Sequence, residues 1–269
     1  MTTPYKRILL TGAAGGLGRQ LRDRIKPFGT IVRLADLADL GPAGPGEEIV
    51  QCDLADKAAV MAMMEGVDAV LHFGGISVEA PFEDINQANI VGVANLYEAA
   101  NKLGARRIVF ASSNHTMGYY ETTDLVDADM PTRPDGMYGI SKVFGESLSR
   151  FYWDRFGLET VCIRIGSCFP EPKDKRMLST YISLDDLVEL LRCSLFARRV
   201  GHTITFGVSA NPSQWWDARH SRHLGFVPKD SSAVFGHLFP DSAELPDQDD
   251  VTVRFQGGGF LLKTPQYKS

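Results

Sequence analysis

Lys6-Arg7-Ile8-Leu9-Leu10-Thr11-Gly12-Ala13-Ala14-Gly15-Gly16-Leu17-Gly18 reads as a short apolar strand, a glycine turn and the opening of a helix that continues from Leu17 to Ile25. The glycines at 12, 15 and 18 form GxxGxxG and not GxGxxG. The mechanism is the same. Glycine permits the tight turn, lets backbone approach a pyrophosphate and packs helix close to strand. The free N–H groups at the helix start then face the phosphates. A strand of residues 30–36 follows and ends on Asp36, 18 residues beyond Gly18. A carboxylate there can hold both hydroxyls of an adenosine ribose and repels a 2′-phosphate. Leu37 brings no compensating positive charge, so the turn is expected to take NAD rather than NADP.

Outward from this unit the pattern repeats. A Gly/Pro loop (41–48) leads to a short strand, 49–52, ending at Asp53-Leu54. An amphipathic helix of residues 56–64 follows, with its methionines on the apolar side. A fourth strand, 68–73, runs into Gly74-Gly75-Ile76-Ser77, where two glycines let the chain pass close to a bound ring; His72 within it reads as a packed core residue. A long helix, 85–103, carries Asn89 and Asn95, and a fifth strand, 107–111, delivers Ser112-Ser113-Asn114-His115 to the carboxyl edge of the sheet. That edge is where open α/β sheets bind ligands. After a long acidic loop come a helix from Tyr138 to Phe156 and a sixth strand, 159–165, ending at Gly166-Ser167. Alternating strands and helices predict an α/β fold with a doubly wound, Rossmann-type parallel sheet.

Beyond Ser167 the alternation loosens. We expect a dinucleotide-binding domain over 1–167 and a small C-terminal substrate-binding portion over 168–269, packed on the same domain. Within the latter, Ser183-Leu184-Asp185-Asp186 has the S-x-x-D form of a helix start, opening a helix to about Phe196. Residues 203–206 suggest a strand, Trp215, Trp216 and Phe226 suggest packing, and 240–250 an acidic surface loop. The stretch 251–260 alternates and holds three glycines, and the sequence does not place it.

The 269 residues are 44% hydrophobic, enough for one substantial core, and a net charge of -5 argues against a nucleic-acid partner. The four cysteines show no metal spacing and fit a reducing compartment. No metal is expected. No stretch approaches the roughly 20 apolar residues of a membrane span. A soluble, cytoplasmic protein is the expectation.

Tyr138 and Lys142 stand four apart. On a helix that spacing puts both on one face, about 6 Å apart along the axis. A phenol is a poor base at neutral pH, but an ammonium one turn away favours phenolate. Such a tyrosine could take a hydroxyl proton while hydride leaves the carbon.

The glycine turn, Asp36, Asp53-Leu54, Ser113 and the Tyr138–Lys142 pair together resemble the short-chain dehydrogenase/reductase superfamily, in its extended, sugar-handling branch, over residues 6–200. Gly74-Gly75-Ile76-Ser77, Ala111-Ser112-Ser113-Asn114-His115-Thr116, Arg164-Ile165-Gly166-Ser167-Cys168, Arg176-Met177-Leu178-Ser179-Thr180 and Arg254-Phe255-Gln256-Gly257-Gly258 are similar to the bacterial NAD-dependent uronate dehydrogenases, over nearly the whole chain. That family oxidises ring-form glucuronate or galacturonate at C1 to an aldarolactone. The resemblance implies Tyr138 as base, Lys142 lowering its pKa and holding the nicotinamide ribose, and Ser113 bonded to the reacting oxygen. It implies Gly12, Gly15, Gly16, Leu17 and Gly18 around the pyrophosphate and Asp36 on the adenine ribose. Asp53 and Leu54 would lie along the adenine, with Phe73, Gly74, Gly75 and Ile165 also against the cofactor. Ser77, Asn114, His115 and Ser167 would hold the sugar, with Arg176 on its carboxylate. It also implies a homo-oligomer. A guanidinium suits a carboxylate because it offers two parallel N–H donors.

Two other readings stay open. A nucleotide-sugar epimerase or dehydratase of the same branch would keep NAD and the Tyr–Lys pair, but such chains are usually longer, and a dehydratase needs carboxyls where this chain has Asn114-His115. A non-catalytic NAD-sensing regulator would tend to lose the Tyr or the Lys, and both are present.

Overall fold

In the computed structural model, residues 4–240, 247, 249–264 and 267 are described. The expected acidic loop of 240–250 falls largely outside them. The strands are β1 (Tyr5–Thr11), β2 (Gly29–Asp36), β3 (Glu47–Gln51), β4 (Ala69–His72), β5 (Arg107–Ser113), β6 (Val126–Asp127), β7 (Glu159–Ile165), β8 (His202–Gly207) and β9 (Trp216–Asp217). The helices are α1 (Gly16–Leu21), α2 (Lys57–Met64), α3 (Phe82–Ile85), α4 (Gly92–Lys102), α5 (Met137–Phe156), α6 (Met177–Thr180), α7 (Leu184–Phe196) and α8 (Val251–Arg254).

Seven strands form one parallel sheet in the order β3-β2-β1-β4-β5-β7-β8. Successive side chains of a strand point to opposite faces, and here both faces are covered. Ile8 and Leu10 of β1 join Leu34, Leu71, Val109 and Ile163 against α1 and α7. Leu9, between them, joins Val70, Ile108 and Phe110 against α2 and α4. The result is the expected doubly wound sheet. The chain runs outward from β1 to β3, then returns to place β4 on the other side of β1. That reversal opens a crevice at the carboxyl ends of β1 and β4.

The structure changes some boundaries. The helix after the glycine turn stops at Leu21, short of Ile25. The helix expected from Ile85 begins at Phe82 and passes through a π-helical segment, Asn86–Val91. The strand expected over 203–206 is β8, the edge of the main sheet. The C-terminal portion therefore shares the sheet of the first 167 residues. Ser183 caps α7, its hydroxyl accepting from Asp186 N at 3.0 Å. Trp216 packs as expected, stacked on Phe206 at 5.1 Å.

The unplaced stretch from Val251 folds as α8 and a 3₁₀ turn, Gly258–Leu262. Buried Gln256 anchors it. Its side chain accepts from Trp216 Nε1 at 2.9 Å and donates to Glu121 O and Asp124 O at 3.0 and 3.1 Å.

Candidate active site

One cleft of about 890 Å³ runs along the carboxyl edge of the sheet, and it brings together every residue that the sequence pointed to for cofactor, chemistry and substrate. At its cofactor end, Gly12 has φ +72°, and a Cβ there would stand 2.5 Å from Phe73 O. A Cβ on Gly18 would stand 2.1 Å from Gly12 O, so the helix start packs onto the turn only with glycine. A Cβ on Gly16 would meet nothing within 4 Å. The turn therefore offers bare backbone to a pyrophosphate. Asp36 ends β2 at the rim, and its two carboxylate oxygens accept from Ala14 N at 2.9 Å and Ala38 N at 3.0 Å. Asp53 and Leu54 follow β3; Asn95 of α4 holds Leu54 by donating to its carbonyl at 3.0 Å. Phe73, Gly74, Gly75 and Ile165 line the floor. Thr11 Oγ1 accepts from Gly74 N at 3.1 Å and meets His72 Nδ1 at 2.7 Å. His72 is a core residue, pushed down to about 3 by burial, with Lys142 adding to the shift. These residues fit NAD.

At the centre, α5 starts at Met137 and presents Tyr138 and Lys142 on its buried face. Lys142 Nζ donates to Ala111 O at 2.8 Å and stands 5.6 Å from the Tyr138 ring centroid. Ser113 ends β5 beside the phenol and accepts from His115 N at 3.2 Å. Electrostatics correct one expectation. Burial pushes Tyr138 up to about 12; the hydrogen bond with Ser113 opposes the rise and Asp135 adds to it. Burial also pushes Lys142 down to about 8. Helical spacing gave the proximity of the pair but not its depth, and depth prevails: in this geometry the phenol keeps its proton.

At the far end lie Ser77, Asn114, His115, Ser167 and Arg176. Ser77 is exposed at the cleft wall. Ser167 Oγ pairs with Thr180 Oγ1 at 2.8 Å. The Asn114 amide, oriented so that both its ends are satisfied, donates to Ile165 O at 3.0 Å and accepts from Arg176 Nη2 at 2.9 Å. Arg176 also donates from Nε to Gln256 O at 2.6 Å. Burial holds this guanidinium below its ordinary value, with Asp174 and Asp135 opposing. Among the described residues Arg176 forms no ion pair, although it carries charge in a recessed site.

Four further residues shape the site without having been expected there. Asn89, in the π-helical segment, clamps Ile76 through both its N–H and its carbonyl, at 2.8 and 2.9 Å, and donates to Ser141 at 2.9 Å. Glu79 accepts from Met137 N at 3.0 Å and Tyr138 N at 3.1 Å, capping the helix of Tyr138 from another loop. Asp135 Oδ2 meets His115 Nδ1 at 2.7 Å. Phe260 stacks on His115 with centroids 3.9 Å apart and lies 5.9 Å from the Tyr138 ring. The three glycines near Phe260 were a signal of close approach, while Asn89, Glu79 and Asp135 carry no spacing that marks them.

The sequence pattern of the NAD dependent epimerase/dehydratase family matches residues 8–185. The chain belongs to this family. Within it, the chain is 54% identical to the uronate dehydrogenase of Pseudomonas putida, over 98% of each chain. A tyrosine-to-alanine mutant of the Agrobacterium tumefaciens uronate dehydrogenase, solved in complex with NAD, superposes with a TM-score of 0.94 at 53% identity over 98% of this chain and all of that one. The glucuronic acid dehydrogenase of Chromohalobacter salexigens gives a TM-score of 0.94 at 49% identity, over 97% and 98% of the two chains. Among this family's members the chain therefore groups with the uronate dehydrogenases. No described helix is long and apolar enough to cross a membrane.

Proposed function

We propose that the protein is an NAD-dependent uronate dehydrogenase, which oxidises ring-form D-glucuronate or D-galacturonate at C1 to the aldarolactone. The observation that carries this reading is Arg176, a guanidinium with no ion-pair partner among the described residues, recessed in the cleft that also holds Tyr138, Ser113 and Lys142. A buried charge without a counterion is costly, and a substrate carboxylate meets it with two charge-assisted bonds. Asn114 and Gln256 fix the guanidinium from two sides and leave it facing the cleft.

Gly12 through Gly18 and Asp36 hold the two ends of the adenosine pyrophosphate. Bound NAD supplies a positively charged nicotinamide that accepts hydride from C1. Ser113 orients the C1 hydroxyl, and Tyr138 removes its proton. The phenol, held near 12 by burial even beside Lys142, needs further positive charge close by to act as a base; the loaded cofactor would add it. Ser77, Asn114, His115 and Ser167 take the remaining sugar hydroxyls. The portion from 168 onward serves substrate through Arg176 and, with the stretch after Val251, through Phe260. Self-association is a further part of the proposal, supported by Phe151 and Phe156 of α5, which are 49% and 51% exposed. A place in carbohydrate metabolism and a cytoplasmic setting follow from the same reading.

An epimerase or dehydratase returns its NAD unchanged, so net NADH formation from a free uronate separates the readings. Absence of NADH with every uronic acid offered would remove this one.

A further inference from the structure

The Asp135 carboxylate is enclosed by backbone from two distant parts of the chain. Its side chain is fully buried. A Cβ on Gly118 would lie 1.9 Å from Asp135 Oδ2, and a Cβ on Gly257 would lie 2.2 Å from it, so two glycine backbones from distant parts of the chain make way for this carboxylate. The two backbones are themselves joined, Gly257 N donating to Gly118 O at 2.8 Å. One carboxylate oxygen, Oδ2, meets His115 Nδ1 at 2.7 Å; the other, Oδ1, is buried without a partner among the described residues. Burying a carboxylate oxygen unpaired costs stability. A neutral side chain would fill the same space without that cost.

What the carboxylate does follows from donor and acceptor chemistry. An ionised carboxylate only accepts, so the proton of the shared bond sits on His115 Nδ1. The other ring nitrogen of a neutral imidazole, Nε2, is then an acceptor. No described residue donates to Nε2, and His115 lines the cleft beside Tyr138. Phe260 covers one face of the ring and His115 N is tied to Ser113 Oγ, so the ring has little freedom to turn. We propose that Asp135 is a positioning residue that locks His115 in the Nδ1–H form, so that Nε2 accepts a hydrogen bond from one substrate hydroxyl. The consequence is a division of labour. A neutral imidazole with a lone pair toward the cleft repels a carboxylate, so the acid end of the sugar is left to Arg176 and the hydroxyl to His115. This inference rests on the uronate reading for its substrate, but its first test does not.

The test has two arms. Two-bond ¹H–¹⁵N correlations on histidine-labelled protein report which nitrogen of His115 carries the proton, with or without turnover of any sugar. The Nδ1–H form is expected in the wild type, moving toward Nε2–H in Asp135→Asn, which preserves the shape between the two glycines. The second arm is steady-state kinetics of the same variant with the parent uronate and its mono-deoxy analogues. Asp135→Asn should raise KM for the parent about tenfold, equivalent to 1.4 kcal/mol, with a smaller change in kcat. For one deoxy analogue, the one lacking the bonded hydroxyl, variant and wild type should behave alike. A wild-type His115 protonated on Nε2 would overturn the inference, as would a loss in the variant that is equal on every analogue. If no uronate is turned over at all, the functional reading fails while the tautomer measurement still decides this one.

Discussion

Replacing Lys142 with methionine should make the protein more stable at neutral pH and inactive. Lys142 is only 6% exposed, and burial alone pulls its pKa from 10.5 down to about 8. A shift of that size is worth about 3 kcal/mol, at 1.36 kcal/mol per unit. The sign follows from proton counting. Below pH 8 the lysine is charged in both folded and unfolded chains, and the folded state bears the whole desolvation cost. Between 8 and 10.5 the unfolded chain holds the extra proton, so stability rises with pH and the cost fades. Methionine keeps most of the stem and removes the charge. It also removes the bond to Ala111 O, a loss of about 1 kcal/mol. The net expectation is a variant about 2 kcal/mol more stable than wild type at pH 7. From the same linkage, that advantage should be essentially lost on going to pH 10. Urea melts of both proteins at a series of pH values measure it, and the difference between the two cancels the other titrating groups. A variant less stable than wild type at pH 7, or an advantage that does not change with pH, would refute the reasoning.

Tyr138→Phe should abolish turnover and leave NAD affinity nearly unchanged; ultraviolet difference titration against this variant should show the wild-type phenol protonated to about pH 12, and ionising at lower pH once NAD is added. An unmoved titration would remove the cofactor's charge from the account. Arg176→Ala should raise KM for uronates about a hundredfold, roughly 3 kcal/mol for lost charge-assisted bonds, while neutral aldoses change little; equal effects on both would take Arg176 off the carboxylate. Asp36→Ala should narrow the preference for NAD over NADP, read from the ratio of kcat/KM values, and an unchanged ratio counts against charge repulsion at the 2′ position.

The sheet was legible because its signals are local. An apolar run into Gly12, a carboxylate at the end of the next strand and a tyrosine one helical turn from a lysine each report on neighbours in sequence. The remainder of the site is assembled by distant contacts. Glu79 caps the helix of Tyr138 from 58 residues away, and Gln256 reaches Glu121 across 135. Neither has a spacing rule. Phe260 was missed for the same reason, since its partner His115 lies in another loop. The Tyr138–Lys142 pair marks the other limit. Spacing predicts that two side chains share a face, but burial, which decides their pKa values here, depends on what the whole chain packs over them.

The most direct measurement is NADH absorbance at neutral pH with purified protein, NAD and a panel of sugars. The account predicts turnover of glucuronate or galacturonate and far weaker turnover of glucose and galactose, which lack the carboxylate. Comparable rates on acid and neutral sugars, or no NADH from any uronate, would contradict it.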